Sequence, residues 1–563
     1  MIQRMILTFS VTECIGISWL LFLQVNRVIG LNKRANRGRC FCSLQISFEM
    51  RYIFILMLLG IVGMAASCDD ENNSENIKED PDVDLSTQRR FPQEVGGYEY
   101  FFRPQNTWVG DPMPFYENGT YHVFYLQDER PASDQFHPWH LVETNDASSY
   151  DYKGVAIPCG ETDEQDIAIG TGSVIKKDGI YYAFYTGHKW NHAPDQPREA
   201  VMMATSTDLQ NWNKNQDFML FADPGYDQNE FRDPYLIKDE SSGEYIMLVS
   251  TRLNNKATLA KYVSTDLINW ELELPFYSDD SVFMIECVDI FEMRGKWYFI
   301  YSNINDRKVH YLTSESLFGQ WEKPQDDLLD GSAYYAAKSA SDGQERLLFG
   351  WCPTRINDED SNDYNWGGSL VVHNLAADET GALKTAMPAA LDTEFSQMAA
   401  WGVIEQTEGT LETENGFELD ASEKRQTAWL SRILKPHKIE TNVTFDEDAQ
   451  NFGFVFGATT GLESVYALHI DVNEKLLKLA YLSDWNSDNT SYEVINALPV
   501  DVTPNTELNI KILIEGSVCV TYLDGKKAFT NRIYKMTQNP WMLFSDTGNV
   551  VFDDFEVKVS DLN

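Results

Sequence analysis

The sequence predicts an all-β protein in which a five-bladed β-propeller is followed by a C-terminal β-sandwich. A short phrase, a glycine turn leading into an aromatic or apolar strand, recurs five times before residue 350. From about residue 400 the pattern changes, and short segments alternate apolar and polar residues between turns. Repeating strand-turn units of about 40 to 50 residues are typical of propeller blades. Short strands that alternate apolar and polar residues are typical of a sandwich. We therefore place the propeller at residues 91–390 and the sandwich at 400–563.

Each repeated phrase predicts one β-hairpin. The phrases read "ENGTYHVFY", "KDGIYYAFY", "SSGEYIMLV", "MRGKWYFIY" and "SDGQERLLFG", and their turn glycines are Gly119, Gly179, Gly243, Gly295 and Gly343. A second phrase, as in "TSTDLQNW", follows the three middle hairpins and ends at Trp212, Trp270 and Trp321. An irregular β-sandwich would not keep two phrases in the same phase, so five hairpins indicate five blades.

The last third, residues 400–563, predicts a supporting β-sandwich. Segments such as "NFGFVFGA", "VYALHIDV" and "VVFDDFEVKV" alternate apolar and polar residues, as half-buried strands do. This part carries no group of residues suited to catalysis, and carbohydrate binding remains an alternative role for it.

Residues 50–68 predict a signal peptide. The stretch "MRYIFILMLLGIVGMAASC" has one positive charge, an apolar run, small residues and then Cys68. The ending "AASC" is similar to a bacterial lipobox, which implies cleavage before Cys68 and lipidation of its thiol. An ordinary signal peptide cut near Ala66 is the alternative.

The segments on either side of this signal complete the N-terminal prediction. Residues 1–49 form a doubtful leader, because their second apolar run and basic stretch belong neither to the signal peptide nor to the acidic linker, and Met50 is the expected start. Residues 69–90 are acidic and polar, which predicts a flexible linker. We expect an exported cell-envelope lipoprotein of a Gram-negative-type bacterium, in the outer membrane, periplasm or cell surface, that meets the membrane only through Cys68.

The charge balance restricts the ligands. Asp and Glu number 86 against 45 Lys and Arg, for a formal net charge of -41. Such a field repels nucleic acid and anionic membranes, and it suits a neutral oligosaccharide or polysaccharide. Four of the eight cysteines follow Cys68, scattered and without metal-binding spacing, so we expect no metal or cofactor and at most one disulfide.

Three acidic residues open three of the innermost strands. Asp111 lies in "NTWVGDPMPFY", Asp233 in "NEFRDPYLI" and Glu286 in "MIECVDIF", each eight to ten residues before a hairpin glycine. The corresponding positions in blades two and five are Thr171 to Ser173 and Tyr335. Convergent carboxylates raise each other's pKa, which a fold tolerates mainly at an active site. A calcium site is the structural alternative.

Glycoside hydrolysis needs the groups that these strands supply. It uses one ionised and one protonated carboxyl, and stabilisation of an oxocarbenium-like transition state. Arg232, beside Asp233, is suited to lowering a neighbour's pKa or holding a sugar hydroxyl. The aromatic rings expected to form stacking walls are those of Trp108, Tyr335 and Trp351.

Residues 95–385 resemble glycoside hydrolase family 32, the invertase, levanase and inulinase group. The family's W-x-N-D-P-N-G motif is similar to "WVGDP" at Trp108, its R-D-P motif to "FRDPY", and its E-C motif to "IECVDIF". The resemblance implies a retaining mechanism in which Asp111 is the nucleophile, Glu286 the general acid/base, and Asp233 the transition-state stabiliser. It also implies that Gln127 and Trp139 lie near substrate, and that Thr171 and Ser173 match the family's S-G-S segment.

The opening motif departs from the family pattern. Gly110 replaces the asparagine before the nucleophile, and Met113-Pro114 replaces the Asn-Gly after the proline. We expect a retaining glycosidase that releases fructose from levan-, inulin- or sucrose-type β-fructosides. The alternatives are a propeller glycosidase acting on another sugar such as an arabinoside, fructosyl transfer instead of hydrolysis, and a non-catalytic glycan-binding lipoprotein.

Overall fold

The computed structural model describes residues 97–560 except 131–133, 361, 458–463, 484, 486–490 and 535–538. The predictions for the leader, the signal peptide, Cys68 and the acidic linker lie outside the described residues. Within the described part, no helix has both the length and the apolar character needed to cross a membrane. Almost all of the regular secondary structure in the described residues is β-strand, which confirms the all-β prediction.

Among the described residues, five blades follow one another along the chain, and their strands form four hydrogen-bonded sheets. Blades one and two contain β1 (Trp108–Glu117), β2 (Thr120–Asp128), β3 (Trp139–Thr144), β4 (Asp151–Ile157), β5 (Ala168–Lys177), β6 (Ile180–His188), β7 (Glu199–Ser206) and β8 (Asn213–Leu220). Blade three contains β9 (Tyr226–Lys238), β10 (Tyr245–Leu253), β11 (Lys256–Ser264), β12 (Glu271–Leu272) and β13 (Tyr277–Asp279). Blades four and five contain β14 (Glu286–Met293), β15 (Lys296–Asn303), β16 (Lys308–Ser314), β17 (Tyr335–Ser341), β18 (Arg346–Arg355), β19 (Tyr364–Ala377) and β20 (Leu383–Ala386), with a 3₁₀ turn at Ile356–Asp358.

The blades are antiparallel, and the last meets the first. β1 pairs with β2 and also with β19, where Val109 is opposite Gly368, so blades one and five share a sheet. The predicted glycines form the first hairpin turn of every blade, with φ between 77° and 92°, and a Cβ added at any of them would have no atom within 4 Å. Glycine adopts this left-handed conformation without a steric cost.

The tryptophans of the second phrase join neighbouring blades. The Trp212 ring packs edge-on against Phe124 of blade one, and that of Trp270 against Phe184 of blade two, with centroids 5.6 and 5.5 Å apart. These two phrases therefore end their blades by placing an aromatic ring on the preceding blade, which explains why they recur in phase with the hairpins.

The C-terminal part packs two antiparallel sheets face to face. The first sheet contains β21 (Gln397–Met398), β23 (Thr410–Glu412), β24 (Phe417–Asp420), β26 (His437–Phe445), β31 (Leu508–Glu515), β32 (Val518–Leu523), β33 (Lys527–Arg532) and β35 (Asn549–Val559). The second contains β22 (Val403–Gln406), β25 (Gln426–Leu430), β27 (Asn451–Phe456), β28 (Ser464–Asp471), β29 (Leu476–Ser483), β30 (Ser491–Pro499) and β34 (Trp541–Ser545). A short helix, α1 (Ala389–Glu394), precedes them. The sandwich prediction is confirmed.

The propeller and the sandwich share a continuous interface. One hydrophobic cluster contains Ile300 of blade four together with Leu513 and Val520 of the sandwich. Asp330 accepts hydrogen bonds from the Thr530 amide and hydroxyl at 2.7 and 2.6 Å. Because apolar burial and satisfied polar groups both cross this boundary, the sandwich supports blades four and five directly.

Candidate active site

A β-bulge interrupts the innermost strand of every blade at the same position. The register with the second strand shifts after Gly110, Ile169, Arg232, Glu286 and Tyr335. The next residue in four blades has positive φ: Asp111 at 35°, Asp233 at 56°, Cys287 at 52° and Ala336 at 53°. Bulges re-aim side chains and tolerate uncommon backbone conformations next to active sites.

This register refines the predicted equivalence of the three acids. Asp111 and Asp233 both follow the first shift position, so they occupy the same place in their blades. Glu286 lies one residue earlier, in register with Gly110, Arg232 and Tyr335. The distance to the hairpin glycine varies from eight to ten residues, so it does not reveal this one-residue difference in strand position.

The three acids line one cavity of about 290 Å³ at the mouth of the propeller. Seven of the predicted site residues line it, namely Asp111, Thr171, Arg232, Asp233, Glu286, Tyr335 and Trp351. Its remaining wall includes Leu126, Phe136, His137, His188, Glu199, Ile304, Arg307 and Trp366. The predicted convergence of carboxylates from blades one, three and four is therefore present.

Two hydrogen bonds hold the carboxylate of Asp111. The Thr171 hydroxyl donates to Oδ2 at 2.8 Å, and the Trp351 indole donates to Oδ1 at 3.0 Å. Burial and the charge of Asp233 raise the pKa of Asp111 to about 7, with a smaller contribution from Glu286, although both hydrogen bonds oppose the increase. Burial and, after it, the neighbouring negative charge therefore make ionised Asp111 energetically unfavourable in the absence of substrate.

Asp233 is almost fully enclosed, with 4% of its surface exposed. Its Oδ2 accepts the Cys287 amide at 3.0 Å, and its own amide donates to the Thr186 hydroxyl at 2.9 Å. Burial raises the pKa of Asp233, and the charge of Glu286 adds to this, while Arg232 opposes it. The backbone of blade four thus fixes the orientation of an acid from blade three.

Glu286 is held by two donors. The Arg232 guanidinium donates to Oε1 at 2.9 Å, and the Tyr335 hydroxyl donates to Oε2 at 2.7 Å. Arg232 also contacts Glu199 at 3.3 Å and Glu230. Burial alone would lower the pKa of Arg232, but the carboxylates of Glu199 and Glu286 raise it well above its usual value. The guanidinium is therefore a permanent cation that positions Glu286.

Glu199 is a site residue that the sequence did not reveal. It is 3% exposed at the start of β7, and its Oε2 accepts the Phe231 amide at 2.7 Å. His188 contacts its Oε1 at 3.2 Å. Glu199 precedes an apolar strand, as several exposed acids do, so only packing against Arg232 distinguishes it from a surface residue.

Two predicted binding residues lie behind the cavity wall. Trp139 is fully buried in the core, and its indole donates to the Gly170 carbonyl at 3.0 Å. The Ser173 hydroxyl donates to the Pro234 carbonyl at 2.9 Å, joining blades two and three. Because their polar groups are used within the protein, Trp139 and Ser173 support the wall and do not line it.

Two others belong to the rim of blade one. The Gln127 side chain accepts from Tyr125 at 3.1 Å and donates to Glu129 at 2.7 Å. The Arg130 guanidinium lies 4.2 Å from the Trp108 ring centroid. The resemblance implied that Gln127 lies near substrate, and Trp108 was expected to form a stacking wall. Neither lines the cavity, because the Gln127 side chain bonds to its neighbours and the Trp108 ring is covered by Arg130.

The departure at Gly110 has a structural counterpart in Trp366. A Cβ on Gly110 would lie 2.2 Å from the Trp366 ring, so no larger residue fits without movement. Trp366 stacks on His137 with centroids 3.8 Å apart, and its ring centroid lies 5.8 Å from that of Trp351. An aromatic wall thus occupies the space beside the nucleophile where the family pattern places an asparagine.

The four cysteines of the described part are unpaired: Cys159, Cys287, Cys352 and Cys519. The disulfide that the sequence allowed is therefore not formed among them. Cys287 lies between the acids instead, and burial raises the pKa of its thiol well above the usual value, so it stays protonated.

A five-bladed propeller with three convergent carboxylates at its mouth has the groups required for glycoside hydrolysis. The model of the Glycosyl hydrolases family 32 N-terminal domain matches residues 101–384, and the model of the GH32, BT1760-like, C-terminal domain matches residues 381–559. The chain belongs to glycoside hydrolase family 32, which confirms the resemblance read from the motifs.

Several relatives are similar to this chain over most of its length. A levanbiose-producing levanase of Bacillus subtilis is 22% identical over 82% of this chain and 90% of its own. A fructan 1-exohydrolase of Triticum urartu is 23% identical over 77% and 82%. The solved structure of fructan 1-exohydrolase IIa from Cichorium intybus aligns with a TM-score of 0.63 at 19% identity, covering 84% of this chain and 98% of that one.

Proposed function

We propose that the protein is a retaining β-fructosidase that releases fructose from fructans or related β-fructosides. The observation that carries the proposal is the cavity in which Asp111, Asp233 and Glu286 meet, each held by its own donors. Membership of family 32 and the fructan-degrading relatives support fructose as the released sugar. The large negative charge of the chain is consistent with a neutral substrate.

In the first step, the Asp111 carboxylate attacks the anomeric carbon of the fructosyl unit. Glu286 gives its proton to the glycosidic oxygen as that bond breaks, so the leaving sugar departs as a neutral alcohol. The three acids create a negative field that disfavours the ionised site before substrate binds. The positive charge that develops at the anomeric carbon relieves this repulsion, and the field therefore stabilises the transition state more than the ground state.

In the second step, a water molecule attacks the anomeric carbon and the bond to Asp111 breaks. The ionised Glu286 takes the proton of this water, which restores both residues to their starting states. Asp233 accepts hydrogen bonds from fructose hydroxyls throughout. Arg232 keeps Glu286 in place, because it bonds Oε1 while Tyr335 bonds Oε2.

We also propose that the protein is an exported lipoprotein anchored through Cys68. The support is the apolar run ending in "AASC" followed by an acidic stretch. Labelling with a radioactive fatty acid in a bacterial host, compared with Cys68→Ser, tests this. Label that persists in the variant would exclude Cys68 as the modified residue.

The activity is tested by sugar release from sucrose, inulin, levan and an arabinan, using purified residues 91–563. We expect fructose, released initially as the β-anomer because two displacements retain configuration, and none from Asp111→Asn. Release from the arabinan alone would redirect the proposal to an arabinosidase. Glycan binding without release, unaffected by Glu286→Gln, would indicate a binding protein.

A further inference from the structure

We propose that Arg307 binds hydroxyl groups of the leaving sugar and so determines which leaving groups the site accepts. This inference rests on the proposed function, because it assigns a role within the same cavity. Arg307 lies in the turn between β15 and β16 at a φ of 58°, and its side chain lines the cavity.

No residue of the described ranges forms a hydrogen bond with the Arg307 guanidinium. Its Nε and Nη2 are enclosed, and neither bonds to any residue among those that the structure describes. No ion pair is formed by this side chain within the described ranges either, although acids outnumber bases 86 to 45 in the chain. Enclosed donors without acceptors are costly, and a protein retains them where a ligand supplies the acceptors.

Two aromatic rings hold the guanidinium in position without using its N–H groups. It lies 5.7 Å from the centroid of Tyr335 and 5.2 Å from that of Tyr364. Such cation–π contacts engage the face of the guanidinium and leave its edge free to donate. Arg307 is therefore preorganised for an acceptor in the cavity.

The position of Tyr335 shows which sugar this acceptor belongs to. Its hydroxyl donates to Glu286, the residue that must reach the glycosidic oxygen to protonate it. The leaving sugar therefore departs on the side of Glu286 and Tyr335. Asp111 is held instead by Thr171 and Trp351, on the side that receives the fructosyl unit.

The acceptor is a pair of neutral hydroxyls and not an anion. Asp111, Asp233 and Glu286 share the cavity with Arg307, and the other cation, Arg232, is already neutralised by carboxylates. A phosphate would meet more negative than positive charge there. Vicinal sugar hydroxyls match the spacing of the guanidinium fork and carry no charge.

The test compares substrates with different leaving groups in Arg307→Gln. One is a fructosyl oligosaccharide such as 1-kestose or levantriose, and the other is an aryl β-fructofuranoside, whose phenol offers no hydroxyl pair. We expect kcat/KM for the oligosaccharide to fall about ten- to a hundred-fold and that for the aryl substrate to stay within about three-fold. Arg307→Lys keeps the charge without the fork and should fall between wild type and Arg307→Gln.

The matched control is Arg294→Gln, in the turn at the opposite end of blade four, where the guanidinium donates to the Ala377 carbonyl at 2.9 Å. It should leave the substrate ratio unchanged. Equal losses on both substrates in Arg307→Gln, or no loss on either, would overturn the inference while leaving the proposed function intact. A loss confined to sucrose 6-phosphate would make Arg307 an anion site and overturn it as well. A wild-type protein inactive on every fructoside would overturn the proposed function, and this inference with it.

Discussion

Asp111 at the propeller mouth is half-buried and Glu515 at the interface with the sandwich is buried, and burial raises the pKa of each to about 7. Their surroundings differ. Glu515 accepts the backbone amides of Glu99, Tyr100 and Phe101 at 2.7 to 3.0 Å, and these donors oppose the increase in its pKa. Asp111 instead faces the charge of Asp233, which adds to the increase.

The two carboxyls therefore serve different purposes, one structural and one catalytic. Glu515 satisfies three amides at the start of the propeller, so its main contribution is to stability. Asp111 accepts two hydrogen bonds, one fewer than Glu515, and is repelled by the charge of Asp233, so it costs stability when no substrate is bound. Unfavourable charge that only a developing cation relieves is expected at a catalytic site and not at a structural one.

The largest expected effect comes from removing the nucleophile. Asp111→Asn should lower kcat/KM at least about 1,000-fold, because no covalent intermediate can form. The same change should raise the free energy of unfolding at pH 8 by roughly 2 to 4 kcal/mol. Urea denaturation of both proteins measures the second effect.

The sign of that stability effect follows from the pKa. The folded-state pKa of Asp111, about 7, lies above its ordinary value of 3.8, so folded wild type binds the extra proton between these pH values. The contribution of Asp111 to the stability of the folded protein is therefore fully present below about pH 4 and is lost as the pH rises to 7. The gain in Asp111→Asn should be larger at pH 8 than at pH 5. An equal gain at both values would contradict the raised pKa.

Glu515→Ala should reverse this pattern. It leaves three backbone amides without an acceptor and should lower the free energy of unfolding by roughly 3 to 5 kcal/mol. Activity per folded molecule should stay within about two-fold, because Glu515 lies outside the cavity. Glu507→Ala, an exposed acid just before the same strand, is the control and should change neither quantity. Loss of activity in a folded Glu515→Ala protein would show that the two regions are coupled.

The third effect concerns Gly110 and Trp366. Gly110→Asn restores the family residue, but its side chain would enter the Trp366 ring, so we expect at least a ten-fold loss of kcat/KM. Adding Trp366→Ala makes room for the amide and should recover part of the loss, giving a favourable coupling energy of about 1 kcal/mol or more. Additive losses would mean that the two positions do not compete for the same space. Gly402→Asn, at an exposed position without a positive φ where an added Cβ has no atom within 4 Å, is the control and should be nearly neutral.

The fold and the three acids could be predicted because both are local patterns. Each blade repeats its own turn glycine, the three middle blades end in a tryptophan, and the acids lie at the bulge of the innermost strand, eight to ten residues before that glycine. Glu199 and Arg307 were missed because their roles depend on neighbours from other strands and blades. Ser173 was assigned to substrate because its motif gives its strand position and not the direction of its side chain, which donates to Pro234.

The smallest expected effect tests the hydrogen bond that favours ionised Asp111. The 2.8 Å hydrogen bond from Thr171 to Oδ2 lowers the pKa of Asp111. Thr171→Val removes this bond, so the pKa of Asp111 should rise further. Since the nucleophile acts as a carboxylate, the acid limb of kcat/KM should move up by about 0.5 to 1 pH unit. The loss of activity should accordingly be greater at pH 6 than at pH 8.

Ser173→Ala is the matched control on the same strand. Its hydroxyl donates to the Pro234 carbonyl and accepts the Leu236 amide, so its loss should lower stability by about 1 kcal/mol. The acid limb should stay where it is in wild type, because Ser173 does not bond to Asp111. If both variants shift the limb equally, the shift reports loosened packing between blades one to three. If only Thr171→Val shifts the limb, the ionisation of Asp111 determines the acid limb. The hydrogen bonds to Asp111 then lower a pKa that the neighbouring carboxylates raise.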